Sequence, residues 1–234
     1  MAGAQAEGEA FPLGGRPQLE EQGIPAGAQL KALRRTRRFK TNVWLVELDG
    51  HRYLLKEVSR MPWLLRITYG RMLIRREVRV FRRLEGLDGV PGLVAPLGPE
   101  AFLAEHVRGL PLDRRSAPFL PEDFFARLDR LVERIHQRGI LHLDMGQRKN
   151  IILRSRDRRP VILDFGAALG CGLPRPLFRL LHLLLGWVDR RGVLMQRMRY
   201  GPVPLDERDR RALKRMNRVR ALWLFNRPAN PRRF

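Results

Sequence analysis

The sequence predicts an α+β fold, with a β-rich first half holding one helix and a mostly helical second half. Three observations lead there. In VWLVELDGHRYLLKEV two apolar runs flank Asp49-Gly50, a strong short-range hairpin signal. A second pair of runs, IILR and VILDF, flanks the turn SRDRRP. Helical apolar spacing appears once in the first half, at GRMLIRREVRVFRRLEGL, and dominates the second.

Taken in order, residues 1–29 are rich in Gly, Ala, Pro and Gln, with four Glu and one Arg, and read as a flexible tail. The hairpin around Asp49-Gly50 opens the folded part. A basic, partly aromatic connection runs from Ser59 to Gly70, and the first helix follows. VAPLG and AFLAEHV read as two further strands. PEDFFARLDRLVERIHQRG is an amphipathic helix, with Phe124, Leu128, Leu131 and Ile135 on one stripe and Gly139 as its stop. The second hairpin comes next, and very basic helical sequence fills the rest.

The chain of 234 residues is long enough for one large domain or two small lobes with a real core. Its net charge of +22 attracts anions such as nucleotides, nucleic acid or an anionic membrane surface. Of 46 basic residues 41 are Arg, so genome base composition with a solvated surface stands as the alternative to a dedicated anion surface. Cys171 is the only cysteine, which excludes an internal disulfide framework and fits a reducing cytosol. No basic-then-apolar signal pattern opens the chain, and the apolar stretch Leu177 to Val188, interrupted by Arg179 and His182, is too short to span a bilayer. The expected location is cytoplasmic, with peripheral attachment to the inner face of the cytoplasmic membrane as an option.

Several polar residues stand where chemistry could use them. On a helical wheel, Leu73, Ile74, Val78, Val80, Phe81 and Leu84 share one arc, and Glu77 falls near its centre. A carboxylate aimed into an apolar face must find a cation. Lys56, in the second strand of the hairpin, is the obvious partner; an edge-strand Lys facing water is the plainer alternative. Asp144 follows His142 after the amphipathic helix, Asn150 opens the strand IIL, and Asp164 ends the strand VILD. Asp and Asn are ordinary turn residues. Two carboxylates and an amide on adjacent turns can also converge on one point, and Mg²⁺ prefers such oxygen ligands together with phosphate oxygens. An Asp left over can accept a proton from an attacking hydroxyl.

With these residues in order, the chain resembles the protein-kinase-like superfamily over roughly residues 40 to 190. It has the strand Lys (Lys56), the helix Glu (Glu77), an H-x-D loop (His142, Asp144), an Asn (Asn150) and D-F-G (Asp164, Phe165, Gly166). The resemblance implies a two-lobed fold, with 30–108 as the N-lobe and 109–234 as the C-lobe, and ATP between them. It implies that Lys56, fixed by Glu77, holds the α/β-phosphates, that Asn150 and Asp164 hold Mg²⁺, and that Asp144 deprotonates the acceptor hydroxyl. In AFLAEHVRGLPL the backbone near Glu105 to Val107 looks like the hinge that holds adenine. In compact size, basic linker and tight helix the chain looks closest to small bacterial lipopolysaccharide (Kdo and heptose) kinases and to RIO-type kinases. The implied acceptor is a lipopolysaccharide-core sugar, with a protein Ser/Thr as the alternative.

The sequence also departs from that pattern. No Gly-rich loop precedes Lys56; the corresponding turn, RRFKTN, would hold phosphates with Arg38, Lys40 or backbone amides. No A-P-E motif follows D-F-G. No Asp occurs in LFRLLHLLLGW, where many relatives have one supporting the catalytic loop. Five residues, not four, separate Asp144 from Asn150, so Lys149 takes the strict position of the metal amide. The favoured reading is a one-residue bulge permitted by Gly146. A basic RNA-binding pseudokinase is the reading from another class, without an RNP-like aromatic motif to support it. The C-terminal stretch ERDRRALKRMNRVRALWLFNRP offers Leu213, Met216, Val219, Leu222 and Trp223 on one side, either to pack on the second lobe or to lie on anionic lipid.

Overall fold

A two-residue turn sets the first sheet. Strands β2 (Asn42–Leu48) and β3 (His51–Glu57) pair antiparallel with Leu48 opposite His51. The two residues between them, Asp49 and Gly50, have φ of 51° and 74°. Two consecutive left-handed residues make the turn whose twist matches a right-twisted hairpin, which explains the Asp-Gly pair. The computed structural model describes residues 29–34 and 41–222. Of the tail expected at 1–29, residues 1–28 lie outside the described residues and Gln29 belongs to the first strand; Arg38 and Lys40 of the RRFKTN turn, and Trp223, also lie outside the described residues.

The chain divides into two units, Met1–Arg108 and Gly109–Phe234, and the described part as a whole is mixed α and β. In the first unit, β1 (Gln29–Arg34), β4 (Leu93–Leu97) and β5 (Ala101–Glu105) complete an antiparallel sheet of order β1-β2-β3-β5-β4. Strand alternation gives this sheet two distinct faces. One carries an apolar cluster of Trp44, Val46, Leu55, Leu97 and Ala101. Glu57 lies on that face too, and its buried carboxylate accepts hydrogen bonds from Asn42, Trp44 and Ser59. The other face receives the helix α1 (Arg71–Arg83), whose Phe81 ring lies 5.5 Å from that of Phe102.

The connection before α1 is more regular than a linker. Trp63–Leu65 forms a helical turn and Arg66–Gly70 a π-helical one that runs into α1. Arg66 and Arg71 both pair with Glu100 in the β4–β5 turn, which ties this segment to the sheet.

In the second unit, β6 (Gly109–Pro111), β7 (Ile151–Arg154) and β8 (Pro160–Ile162) form a small antiparallel sheet in that order. The amphipathic helix α2 (Phe124–Gln137) buries Phe124, Phe125, Leu128, Leu131, Val132 and Ile135, and the left-handed Gly139 ends the segment. Helix α3 (Arg175–Tyr200) is long and unevenly packed. Its buried residues begin only at Gly186, and its first half is largely exposed. Helix α4 (Glu207–Leu222) packs on α3 through Leu213 against Leu194 and Leu205, while Val219 is exposed. Among the described residues no helix is long and apolar enough to cross a membrane.

Candidate functional site

Lys56 and Glu77 meet as the helical wheel requires. Lys56 sits on β3, an interior strand paired on both sides, opposite Val43 and Phe102. The edge-strand alternative is thereby overturned. The shared register with Phe102 puts Lys56 on the face covered by α1. Its Nζ donates to Glu77 Oε1 at 2.7 Å, with side-chain exposures of only 6% and 3%. Deleting one partner of such a pair leaves a buried, uncompensated charge, at a cost of about 3–5 kcal/mol.

The loop after α2 is built around His142. Its backbone and ring are buried, and its Nδ1 accepts from the Asp144 amide at 3.2 Å. Nε2 lies 3.0 Å from the Leu163 carbonyl, so the network selects the tautomer with the proton on Nε2. The ring packs edge-on against Phe165, 5.0 Å between centroids. One imidazole thus links the residue before Asp164, the residue after it, and Asp144.

Asn150 reaches Asp144 despite the extra residue. It is buried, and its Nδ2 donates to Asp144 Oδ2 at 2.9 Å and to the Asp144 carbonyl at 3.1 Å. Lys149 is exposed. The bulge is not made the way Gly146 suggested. Gly146 has no positive φ, and a Cβ there would meet nothing within 4 Å. Two successive turns absorb the residue, Gln147 N–H to Asp144 O at 3.2 Å and Asn150 N–H to Gln147 O at 3.0 Å. The left-handed residue is instead Leu143, with φ of 63°. A branched side chain in that region costs about 1–3 kcal/mol and needs a clamp.

The clamp is Asp189, two residues beyond the stretch in which the sequence lacked an acid. Asp189 is fully buried on α3. Its carboxylate accepts from the His142 amide at 2.8 Å and the Leu143 amide at 2.6 Å, and pairs with His136 Nε2 at 2.9 Å. Two more residues on the same side of α3 continue the support. Gly192 lets the loop lie directly on the helix; a Cβ there would stand 2.6 Å from Met145 Cβ and 2.8 Å from the Gly146 nitrogen. Gln196 donates to the Gly146 carbonyl at 2.6 Å, with a longer contact of 3.4 Å to Met145 O. Both acceptors are carbonyls, which only the amide NH₂ can serve. Sequence reading missed all three residues; their spacing of three and four along one helix was the available signal.

Asp164 also adopts a left-handed conformation, with φ of 59°, and its Oδ1 caps the turn Phe165–Ala167 by accepting from Gly166 N–H at 3.4 Å. The Leu163 amide donates to the Asn150 carbonyl at 2.8 Å, which fixes the strand end carrying Asp164 to the strand start carrying Asn150. The Asn150 amide and the Asp164 carboxylate are hard oxygen donors of the kind Mg²⁺ takes, with water and phosphate oxygens completing its shell. Among the described residues no cluster of three or more His, Cys, Asp and Glu forms a larger metal site. Glu105 ends β5, where its N–H is taken by the Gly92 carbonyl at 2.9 Å; Val107 is half-buried in the strandless segment that follows. Between them His106 buries an Nδ1 with no hydrogen-bond partner among the described residues, and desolvation, Arg52 and Arg108 hold its pKa below the ordinary histidine value.

Neither a scan against models of protein families nor a search of curated proteins gives a match for this chain.

Proposed function

We propose that this chain is an ATP- and Mg²⁺-dependent kinase of the two-lobed protein-kinase-like class, with 30–108 and 109–234 as its lobes, acting on a hydroxyl. The observation that carries the reading is the contact of Asn150 with Asp144 across a spacer one residue too long. It keeps an amide beside the acidic residue that the chemistry needs.

In this reading the Lys56 ammonium, oriented by Glu77, binds the α/β-phosphates, and backbone groups near Glu105 to Val107 hold adenine. Asn150 and Asp164 would hold Mg²⁺, which would supply the positive charge that offsets the phosphate oxygens. Asp144 accepts the proton of the acceptor hydroxyl as its oxygen bonds to the γ-phosphorus. The bond from that phosphorus to the β–γ bridging oxygen breaks, and ADP leaves. Catalysis is then mostly positioning and charge stabilisation.

A sugar of a lipopolysaccharide core is the favoured acceptor. Only residues 168–174 separate the turn after Asp164 from α3, which leaves little chain for docking a peptide. The work place this implies is the inner face of the cytoplasmic membrane. The test is transfer of labelled γ-phosphate to isolated core glycolipid and to total protein, with Asp144→Ala as control. Label in the glycolipid that vanishes in the variant supports the reading. Label in protein alone turns it to a RIO-like protein kinase, and folded protein without ATP binding or transfer ends it.

A further inference from the structure

The first half of α3 carries an apolar face that the described residues of its unit leave exposed. Leu177, Leu180, Leu183 and Leu184 are 48%, 52%, 78% and 59% exposed. At 100° per residue these four span an arc of about 120°, with no polar residue inside it, and the half-buried Trp187 continues the arc toward the packed half. Contiguous exposed leucines of this kind mark a surface that meets something other than water.

The charges around the ridge say what that is. Arg179 is exposed beside it and Arg175 is exposed in the first turn of the helix, and neither makes an ion pair among the described residues. Arg190, about three turns further on, is engaged by Asp209 at 3.7 Å. From Phe165 to Val188 the sequence contains no Asp or Glu. Glu133 of α2 is exposed on the same groove as Arg179 and Leu183, yet an apolar helical face edged by Arg179 on a chain of net charge +22 still fits the interfacial plane of an anionic bilayer. There the leucines enter the acyl boundary and Arg179 reaches the headgroups. A second copy of the chain fits poorly, because pairing two ridges would press together two chains of net charge +22.

We propose that α3, through Leu177, Leu180, Leu183 and Leu184, is a docking element for an anionic phospholipid surface. This surface is independent of the kinase reading, and its test does not use phosphoryl transfer.

The experiment is partition of the full chain onto vesicles of phosphatidylcholine with a quarter phosphatidylglycerol, at about 0.3 M salt, where the Debye length is well under 10 Å and diffuse attraction is suppressed. Leu180→Ser/Leu183→Ser/Leu184→Ser should lower the partition coefficient tenfold or more, with circular dichroism and unfolding midpoint unchanged. Arg179→Gln should lower it about fivefold, the effect of one cation near an anionic surface. Brominated acyl chains should quench the parent's tryptophan fluorescence more than that of Trp187→Phe. Equal partition of the triple variant and the parent overturns the proposal, as does equal binding to vesicles of phosphatidylcholine alone. A concentration-dependent dimer that the triple variant abolishes would make the ridge a self-association surface and also overturns it.

Discussion

Replacing Asp189 with Asn tests whether α3 holds the loop that carries Asp144. The substitution preserves volume and removes the charge. Asp189 accepts two backbone amides, His142 at 2.8 Å and Leu143 at 2.6 Å, and pairs with His136 at 2.9 Å, all at a fully buried position. Bonds to a charged acceptor contribute about 1.5–3 kcal/mol each. Asn offers one oxygen, so one of the two amides would face an NH₂ group instead of an acceptor. Leu143 would also lose part of the clamp on its left-handed backbone, a conformation that costs about 1–3 kcal/mol. The expected loss is therefore about 3–5 kcal/mol, the range for breaking a buried charged contact. That is a large share of the ~5–15 kcal/mol typical of a folded domain. Urea unfolding would read the loss, and amide hydrogen exchange would locate it at His142 and Leu143. A loss under about 1 kcal/mol, with Leu143 exchange unchanged, would show that Asp189 does not clamp the loop.

Three further expectations follow from the same contacts. Lys56→Met should destabilise by about 3–5 kcal/mol, and adding Glu77→Leu should recover most of that, because an apolar pair replaces a buried ion pair at little cost; a double variant no more stable than the single one would show that the pair is not coupled. Asn150→Ala should lower phosphoryl transfer about 10–100-fold, the usual effect of losing a group that orients a metal site, while Lys149→Ala should change it little; the reverse order would place the working group on Lys149. For His182, burial lowers the pKa, with neighbouring His136 adding to the shift and Asp189 opposing it. The unfolded chain, titrating near the ordinary value of about 6.5, then binds more protons than the folded one. Stability should accordingly fall as pH drops through that value, and His182→Gln should flatten the decline between about pH 7 and 5. An unchanged slope in unfolding free energy against pH would assign the decline to other groups.

Local chemistry was legible in the sequence where it repeats within a few residues. Asp49-Gly50 announced its turn, and the apolar arc around Glu77 announced both the helix face and the need for Lys56. The stripe from Phe124 to Ile135 predicted which side of α2 is buried. What escaped depends on contacts distant in the chain or on elements too short to carry a period. β6 has three residues and no alternation to read. The helical turns from Trp63 to Gly70 lack capping side chains. Asp189 lies 47 residues from the amide of His142, and only its spacing from Gly192 and Gln196 distinguishes it from a surface acid of a basic helix. Gly146 looked like the residue of special backbone freedom, yet that conformation falls on Leu143, where a long-range acceptor pulls two amides together.

The support beneath the loop changes what identifies it. Because Asp189, Gly192 and Gln196 grip the backbone from His142 to Gly146, the stretch beyond Gly146 is free to vary in length while Asp144 stays in place. A pattern that demands four residues between Asp and Asn discards this chain. The pattern D-x-x-G-x-x-x-Q on the long helix keeps it, since each position answers to a separate contact: an acceptor for two amides, an absent side chain, and a donor for a carbonyl. Chains with irregular loops of this kind should be recognisable by the helix on which the loop rests.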